Sequence, residues 1–162
     1  MKMLMVAALM AVFSGQQDPV VPKGERPVKL YEQSNKNAGA TPYADDEMFK
    51  VFGGIEGLTA LSNELVTLLT ADKRVEGIFR ASDLVRLKRT LTEQLCYILG
   101  GPCDYTGMNM RVAHKDHGIT MREYLVLVEL AQVAMEKQKI PFGAQNKLLA
   151  KLAPMYREIV RR

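Results

Sequence analysis

From residue 48 onward the apolar residues fall at helical spacing, and this period constrains the fold more than any other feature of the chain. Ile55, Leu58, Leu61, Leu65 and Leu68 step by three or four positions, and Leu84, Leu87, Leu91, Leu95 and Ile98 do the same. Tyr124, Leu127 or Val128, Ala131 and Met135 form a third row, and Leu148, Leu152, Met155 and Ile159 a fourth. Residues three and four apart share one face of an α-helix, so each row reads as a helix with a single apolar stripe. No stretch of comparable length alternates with period two, as a half-buried strand does. The expectation is an all-α domain with four main helices.

The punctuation between the rows agrees. "FGGIEGL" breaks the chain before the first long helix, Ser82 or Asp83 offers an N-cap for the second, and "LGGPCDYTG" stops that helix with glycines and a proline. Thr120 with Glu123 three residues later is a capping box opening the third helix, and Pro141 opens or precedes the fourth.

At 162 residues the chain has room for one domain with a proper core. Its first residues, "MKMLMVAALMAVF", set a lysine ahead of an apolar run, and small residues follow. This is the pattern of a secretory signal over residues 1–15, with cleavage after Ser14 or Gly15. The run is too short to cross a hydrocarbon core that needs ~20 apolar residues, so no stable membrane span remains after cleavage. The expected location is periplasmic or extracellular. Residues 16–47 are polar, carry Pro19, Pro22, Pro27 and Pro42, and show no apolar period, so a flexible N-terminal extension is expected ahead of a domain at 48–162. Lys2 is the only charged residue of the signal, so its removal takes the net charge from +4 to +3. That balance, without a Lys/Arg cluster, gives no footing for nucleic acid.

Two local features point to chemistry. Leu87, Leu91 and Leu95 form an apolar wall on the second helix, and the first offers Leu65, Val66 and Leu69 opposite; such a wall faces either another helix or a flat apolar ligand. Both histidines, His114 and His117, lie in "MNMRVAHKDHG", a segment between two glycine-containing turns that is too short to be a self-sufficient helix and must dock on something. Histidine is the commonest metal ligand, yet a lone histidine on an apolar segment is more often a satisfied core residue, and the residues alone leave both readings open. No serine triad, phosphate loop or paired-carboxylate arrangement stands out.

"VFGGIEGL", "LLTADKRVEGIF", "RLKRTLTEQL", "LGGP", "YTGMNMRVAH" and "HGIT", in this order and spacing, resemble the group I truncated haemoglobins, short globins with a two-over-two helical sandwich around haem. The similarity covers residues 48 to 160 and includes the double glycines Gly53–Gly54 and Gly100–Gly101. The resemblance implies haem b, with its iron, as cofactor, and a protein that binds oxygen, carbon monoxide or nitric oxide at an open sixth position, with a redox partner as a further possibility. His114 falls on the proximal histidine, the expected metal ligand. Phe79 falls on the phenylalanine that packs against the haem face. Met110 and Tyr124 fall on the proximal side, and Val66, Leu87, Leu91 and Leu95 on the distal pocket. Lys88, with Arg89, is the nearest candidate to pair with the haem propionates; a solvated helix face is the alternative.

The departures from the family pattern shape the expected function. Many members carry a tyrosine on the first sandwich helix and a glutamine on the second that donate to bound oxygen, and this chain has Val66 and Leu91 there. A hydrogen bond of that kind is worth ~1.5–3 kcal/mol, so its absence should speed oxygen release and weaken preference for oxygen over carbon monoxide. Some relatives use a distal histidine as sixth ligand; Thr90 holds that position here, so a bis-histidine haem is not expected. His117 is expected in a solvent-facing or N-capping role, with support of the iron-binding residue or alternative ligation as the other reading. Gas binding, oxygen transport included, is therefore favoured over an efficient enzyme. The alternatives are a haem enzyme that detoxifies nitric oxide or peroxide, which needs a distal acid or base, and a haem-free helical interaction module.

The chain's two cysteines, Cys96 and Cys103, flank the "GGP" reversal. In an exported protein an even count favours a disulfide, and the reversal brings Cα atoms within the ~6 Å a disulfide needs. Two inert thiols are the alternative.

Overall fold

A computed structural model describes residues 21–161, and the expected signal at 1–15 lies outside them. The regular structure of the described residues is helical throughout. It comprises α1 (Glu47–Val51), α2 (Gly54–Ala71), α3 (Glu76–Phe79), α4 (Leu84–Ile98), α5 (Met110–His114), α6 (Met121–Lys137), α7 (Phe142–Leu152) and α8 (Tyr156–Ile159), with 3-10 turns at Asn35–Ala38 and Ala153–Met155.

The first three apolar rows become α2, α4 and α6. On α2 the buried row is Leu58, Leu61, Leu65 and Leu69; Leu69 takes the place expected for Leu68, and Ile55 at the start of the row is exposed. Of the two candidate caps for α4 it is the Asp83 carboxylate that accepts the Arg86 N–H. The helix ends where Gly100 turns left-handed at φ +82°, and a Cβ there would run into the Asp45 carbonyl. The capping box opening α6 is present in full, each partner satisfying an N–H the helix leaves unpaired.

The fourth row is not one helix. Pro154 has no N–H to give to the ladder, and the chain tightens into a 3-10 turn at Ala153–Met155 between α7 and α8. Leu148, Met155 and Ile159 are nonetheless all buried, so the stripe survives the interruption.

α2 packs on α4 to form one layer and on α6 of the other, while α6 packs on α7 and α8. This is the two-over-two sandwich expected. The short α5 docks on α8, as a five-residue helix must dock on something to persist. Cys96 and Cys103 are disulfide-bonded, with Cα atoms 5.8 Å apart, and tie the last turn of α4 to the chain leading into α5.

The extension expected to be flexible at 16–47 differs over its described part, from residue 21. The Glu25 side chain is 1% exposed and paired with both Arg86 and Arg89 of α4. The Tyr31 hydroxyl donates to the Thr106 carbonyl at 2.7 Å, Ala38 is fully buried, and the Tyr43 N–H donates to the Ile98 carbonyl at 2.9 Å. The segment buries little apolar surface, which is why its composition reads as a tether. Long-range ion pairs and hydrogen bonds dock it instead.

Candidate functional site

Between the two layers lies a cavity of about 690 Å³, in the range of small-molecule and cofactor sites. Its walls explain an anomaly in the apolar rows. Leu87 and Leu91 of α4, Leu127, Val128 and Ala131 of α6, and Leu149 of α7 are only half-buried, although they sit in register with fully buried neighbours. All of them line the cavity. Of the two partners open to the leucine wall on α4, another helix or a flat apolar ligand, the geometry leaves room for the second. Covering such a side chain is worth ~1.5–3 kcal/mol if it passes from fully exposed to fully buried, so an apolar occupant would stabilise the sandwich.

Of the residues singled out by sequence, Val66, Phe79, Leu87, Leu91, Leu95, Met110, His114 and Tyr124 all contribute to the lining. Lys88 does not. Arg89, the second rim candidate, is spent on Glu25, Glu93 and Thr106. The cationic side chains of α4 and its surroundings that do reach the cavity are Arg86 and Arg26.

His114 is the site's one half-buried imidazole. α5 starts at Asn109, whose side-chain oxygen caps the Val112 N–H, and places His114 one turn after Met110. The His114 Nδ1 lies 2.7 Å from the Met110 carbonyl oxygen. A carbonyl can only accept, so Nδ1 carries the proton and Nε2 keeps its lone pair. Burial pushes the His114 pKa below the usual histidine value; the Met110 hydrogen bond opposes this and nearby His117 adds to it. Burial thus favours the neutral ring, the form that ligates a metal. His117 is exposed and also lines the cavity, beside the turn at Gly118.

The polar groups of the lining are largely committed elsewhere. The hydroxyls of Thr90, Tyr31, Tyr105 and Tyr124 donate to the carbonyls of Arg86, Thr106, Met108 and Ala153 respectively. Gln94, buried on α4, donates to the Ala38 carbonyl at 2.8 Å and approaches the Met110 sulfur at 3.4 Å. At the positions of Val66 and Leu91 there is no donor. An imidazole with Nε2 unpaired, on the wall of a largely aliphatic cavity of this volume, fits the donor set a haem would need.

Sequence reasoning missed Gln94, Arg86, Arg26 and Tyr31. Gln94 was legible: it is seven positions after Leu87 and so shares its face. Arg26 and Tyr31 carry no local signal, since their partners on α4 and its following loop are distant in the chain.

A family model described as bacterial-like globin matches residues 47–160. A group 1 truncated hemoglobin of Mycolicibacterium paratuberculosis is 33% identical over 108 residues, covering 66% of this chain and 79% of that protein. Another, from Tetrahymena pyriformis, is 28% identical over 82 residues, covering 51% of this chain and 68% of its own. Among solved structures, the truncated hemoglobin of Tetrahymena pyriformis in its Fe(III) form superposes with a TM-score of 0.68 at 21% identity, over 71% of this chain and 98% of that one. The 2/2 hemoglobin of a Synechococcus species, solved in the cyanomet state with covalently attached heme, gives 0.66 at 17% identity over the same shares. These structures share the all-helical fold described above.

Proposed function

Because the chain belongs to the bacterial-like globins, among the group 1 truncated haemoglobins, and is thereby a haem-binding protein, we propose that it holds haem b through His114 and binds a diatomic gas. The observation that carries this reading is the imidazole of His114, whose Nδ1 is taken by Met110 and leaves Nε2 free, on a residue that lines the cavity with Leu87, Leu91 and Val66. When bound, haem would supply an iron able to bind oxygen, carbon monoxide or nitric oxide. The chain's own residues supply the rest. Met110 fixes the tautomer and orientation of the ring, Phe79 and the leucines exclude water, and the aliphatic wall leaves the gas without a hydrogen-bond donor. Both cysteines are bonded to one another and the chain has no others, so attachment through cysteine thioethers has no partner, which favours haem b.

The same wall disfavours catalysis as the main role. Detoxifying nitric oxide or peroxide draws on a distal donor, acid or base, and the hydroxyls nearest to hand are given to main-chain carbonyls. Ser82, at the start of α4, is the remaining hydroxyl of the lining. Export is part of the reading: the apolar leader and the disulfide both fit an oxidising compartment.

The test is the visible spectrum of the protein loaded with haem, in the ferric state and then dithionite-reduced with and without carbon monoxide, beside His114→Ala. A five-coordinate ferrous spectrum that converts to a carbonyl form and is lost or altered in the variant is expected. A six-coordinate ferrous spectrum would bring a side chain, His117 first, to the iron. A protein that takes up no colour would overturn the reading and leave the helical interaction module.

A further inference from the structure

The part of the chain that lies ahead of the family match contributes to the cavity. Arg26, Pro27, Val28 and Tyr31 all line it, although the globin model begins only at residue 47. They line it beside the residues that open α4. The Arg26 main-chain N–H donates to Asp83 at 2.6 Å, its guanidinium donates to the Ala81 carbonyl at 2.9 Å, and its own carbonyl accepts from the Arg86 guanidinium at 3.0 Å.

The segment is latched by charge. Glu25, almost wholly buried, receives Arg89 through both of its carboxylate oxygens, and Arg86 approaches the same group at 3.2 Å. Arg89 is fixed in turn by Glu93 at 2.6 Å and by the Thr106 hydroxyl at 2.6 Å. A carboxylate buried between two guanidinium groups is strongly directional, and removing it leaves Arg86 without its carboxylate partner and Arg89 with Glu93 alone.

The latch leaves cationic donors at the cavity. A guanidinium has five N–H donors, and the side chain of Arg26 uses one group on Ala81. The Nε of Arg86 is buried with no hydrogen-bond partner among the described residues. Asp83 is the anion beside them, and its carboxylate is occupied by the main-chain N–H groups of Arg26 and Arg86. A haem held against Leu87 and Leu91 would bring two carboxylates into this cavity, and planar donors of this kind match them.

We propose that residues 25–31 are part of the cofactor site: a strap locked on the cavity by Glu25, which presents Arg26, together with Arg86, to the haem carboxylates. This rests on the haem reading above and adds to it that cofactor retention depends on a segment outside the globin domain. Arg26 and Arg86 take the role that sequence assigned to Lys88.

The experiment measures the rate of ferric haem loss to an excess of a colourless apo-globin scavenger, for the full chain and for Glu25→Gln, Arg26→Gln and Arg26→Lys. Trypsin cleavage after Lys23 and Lys29 in the haem-free proteins reports whether the strap is docked. Glu25→Gln is expected to speed cleavage at both sites and to speed haem loss about tenfold. Arg26→Gln is expected to speed loss several-fold, with Arg26→Lys between it and the parent. Glu25→Gln that frees the strap yet loses haem at the parent's rate overturns the proposal, and so does Arg26→Gln indistinguishable from the parent. A parent that takes up no haem defeats the haem reading itself and the strap's role with it.

Discussion

The Nδ1 of His114 lies 2.7 Å from the carbonyl oxygen of Met110, one helical turn earlier. Met110 is itself held: its sulfur is 3.4 Å from the Gln94 amide, which donates to the Ala38 carbonyl. Ala38 closes the 3-10 turn of the N-terminal segment. A five-residue helix cannot fix a side chain alone, and here the direction of the imidazole is set by a chain of contacts that begins outside the globin domain. The order runs from tertiary hydrogen bonds to ring orientation, and from ring orientation to the free nitrogen on which the proposed ligation depends.

Replacing His114 by glycine tests that free nitrogen directly. The variant keeps the aliphatic walls and should still bind haem weakly, with an altered ferrous spectrum. Added imidazole is expected to restore the five-coordinate ferrous form, because a small ligand fits the space the side chain leaves. A variant whose spectrum matches the parent without imidazole would show that another residue ligates the iron.

Val66 is 1% exposed on α2 and lines the cavity with Leu91 of α4. Val66→Tyr, with or without Leu91→Gln, places a donor where the wall has none. A hydrogen bond to a polarised acceptor is worth ~1.5–3 kcal/mol, so oxygen dissociation should slow roughly 10- to 100-fold, while carbon monoxide dissociation changes little. Stopped-flow replacement of each gas decides it. Equal slowing of both gases would mean that the tyrosine acts by blocking the exit.

The legible parts of this molecule are those in which local pattern and tertiary packing agree. α2, α4 and α6 follow rows at three- and four-residue spacing, and the Asp83 and Thr120 caps are short-range chemistry that a sequence displays openly. The fourth row was legible as a stripe but not as a broken helix, because Pro154 interrupts the backbone without moving the buried face. The strap was not legible: Glu25 finds Arg89 across 64 positions, and nothing near Glu25 distinguishes it from a solvated linker carboxylate. Lys88 misled for the same reason. Of the α4 cations it is Arg86 that lines the cavity while Arg89 is taken up by Glu25, and no pattern near Lys88 displays that difference.

The Cys96–Cys103 bond closes a short loop, a separation of 7 residues, at the end of α4. Chain entropy alone gives such a loop about 2–3 kcal/mol of stabilisation. Urea unfolding with and without reductant is expected to show a lower midpoint for the reduced protein at unchanged slope. Coincident curves would mean that the packing of Cys96, which is fully buried, holds the reversal without the bond.

Arg74 joins the loop after α2 to α6, bonding Asp72 at 2.6 Å and Glu129 at 3.0 Å. Its guanidinium and main-chain N–H hold the Asp72 carboxyl at about 2, and the guanidinium lowers Glu129 as well. Both folded-state values lie below those of the unfolded chain, so the stabilisation is complete above about pH 5 and is lost as pH falls through the window from about 4 to 2. Thermal melts of Arg74→Gln should therefore fall below the parent's at neutral pH, with the gap closing as pH drops through that window. The cluster is exposed, and the gap should also narrow as salt is added. A gap that persists at pH 2 and in high salt would assign the effect to packing of the arginine stem instead of its charge.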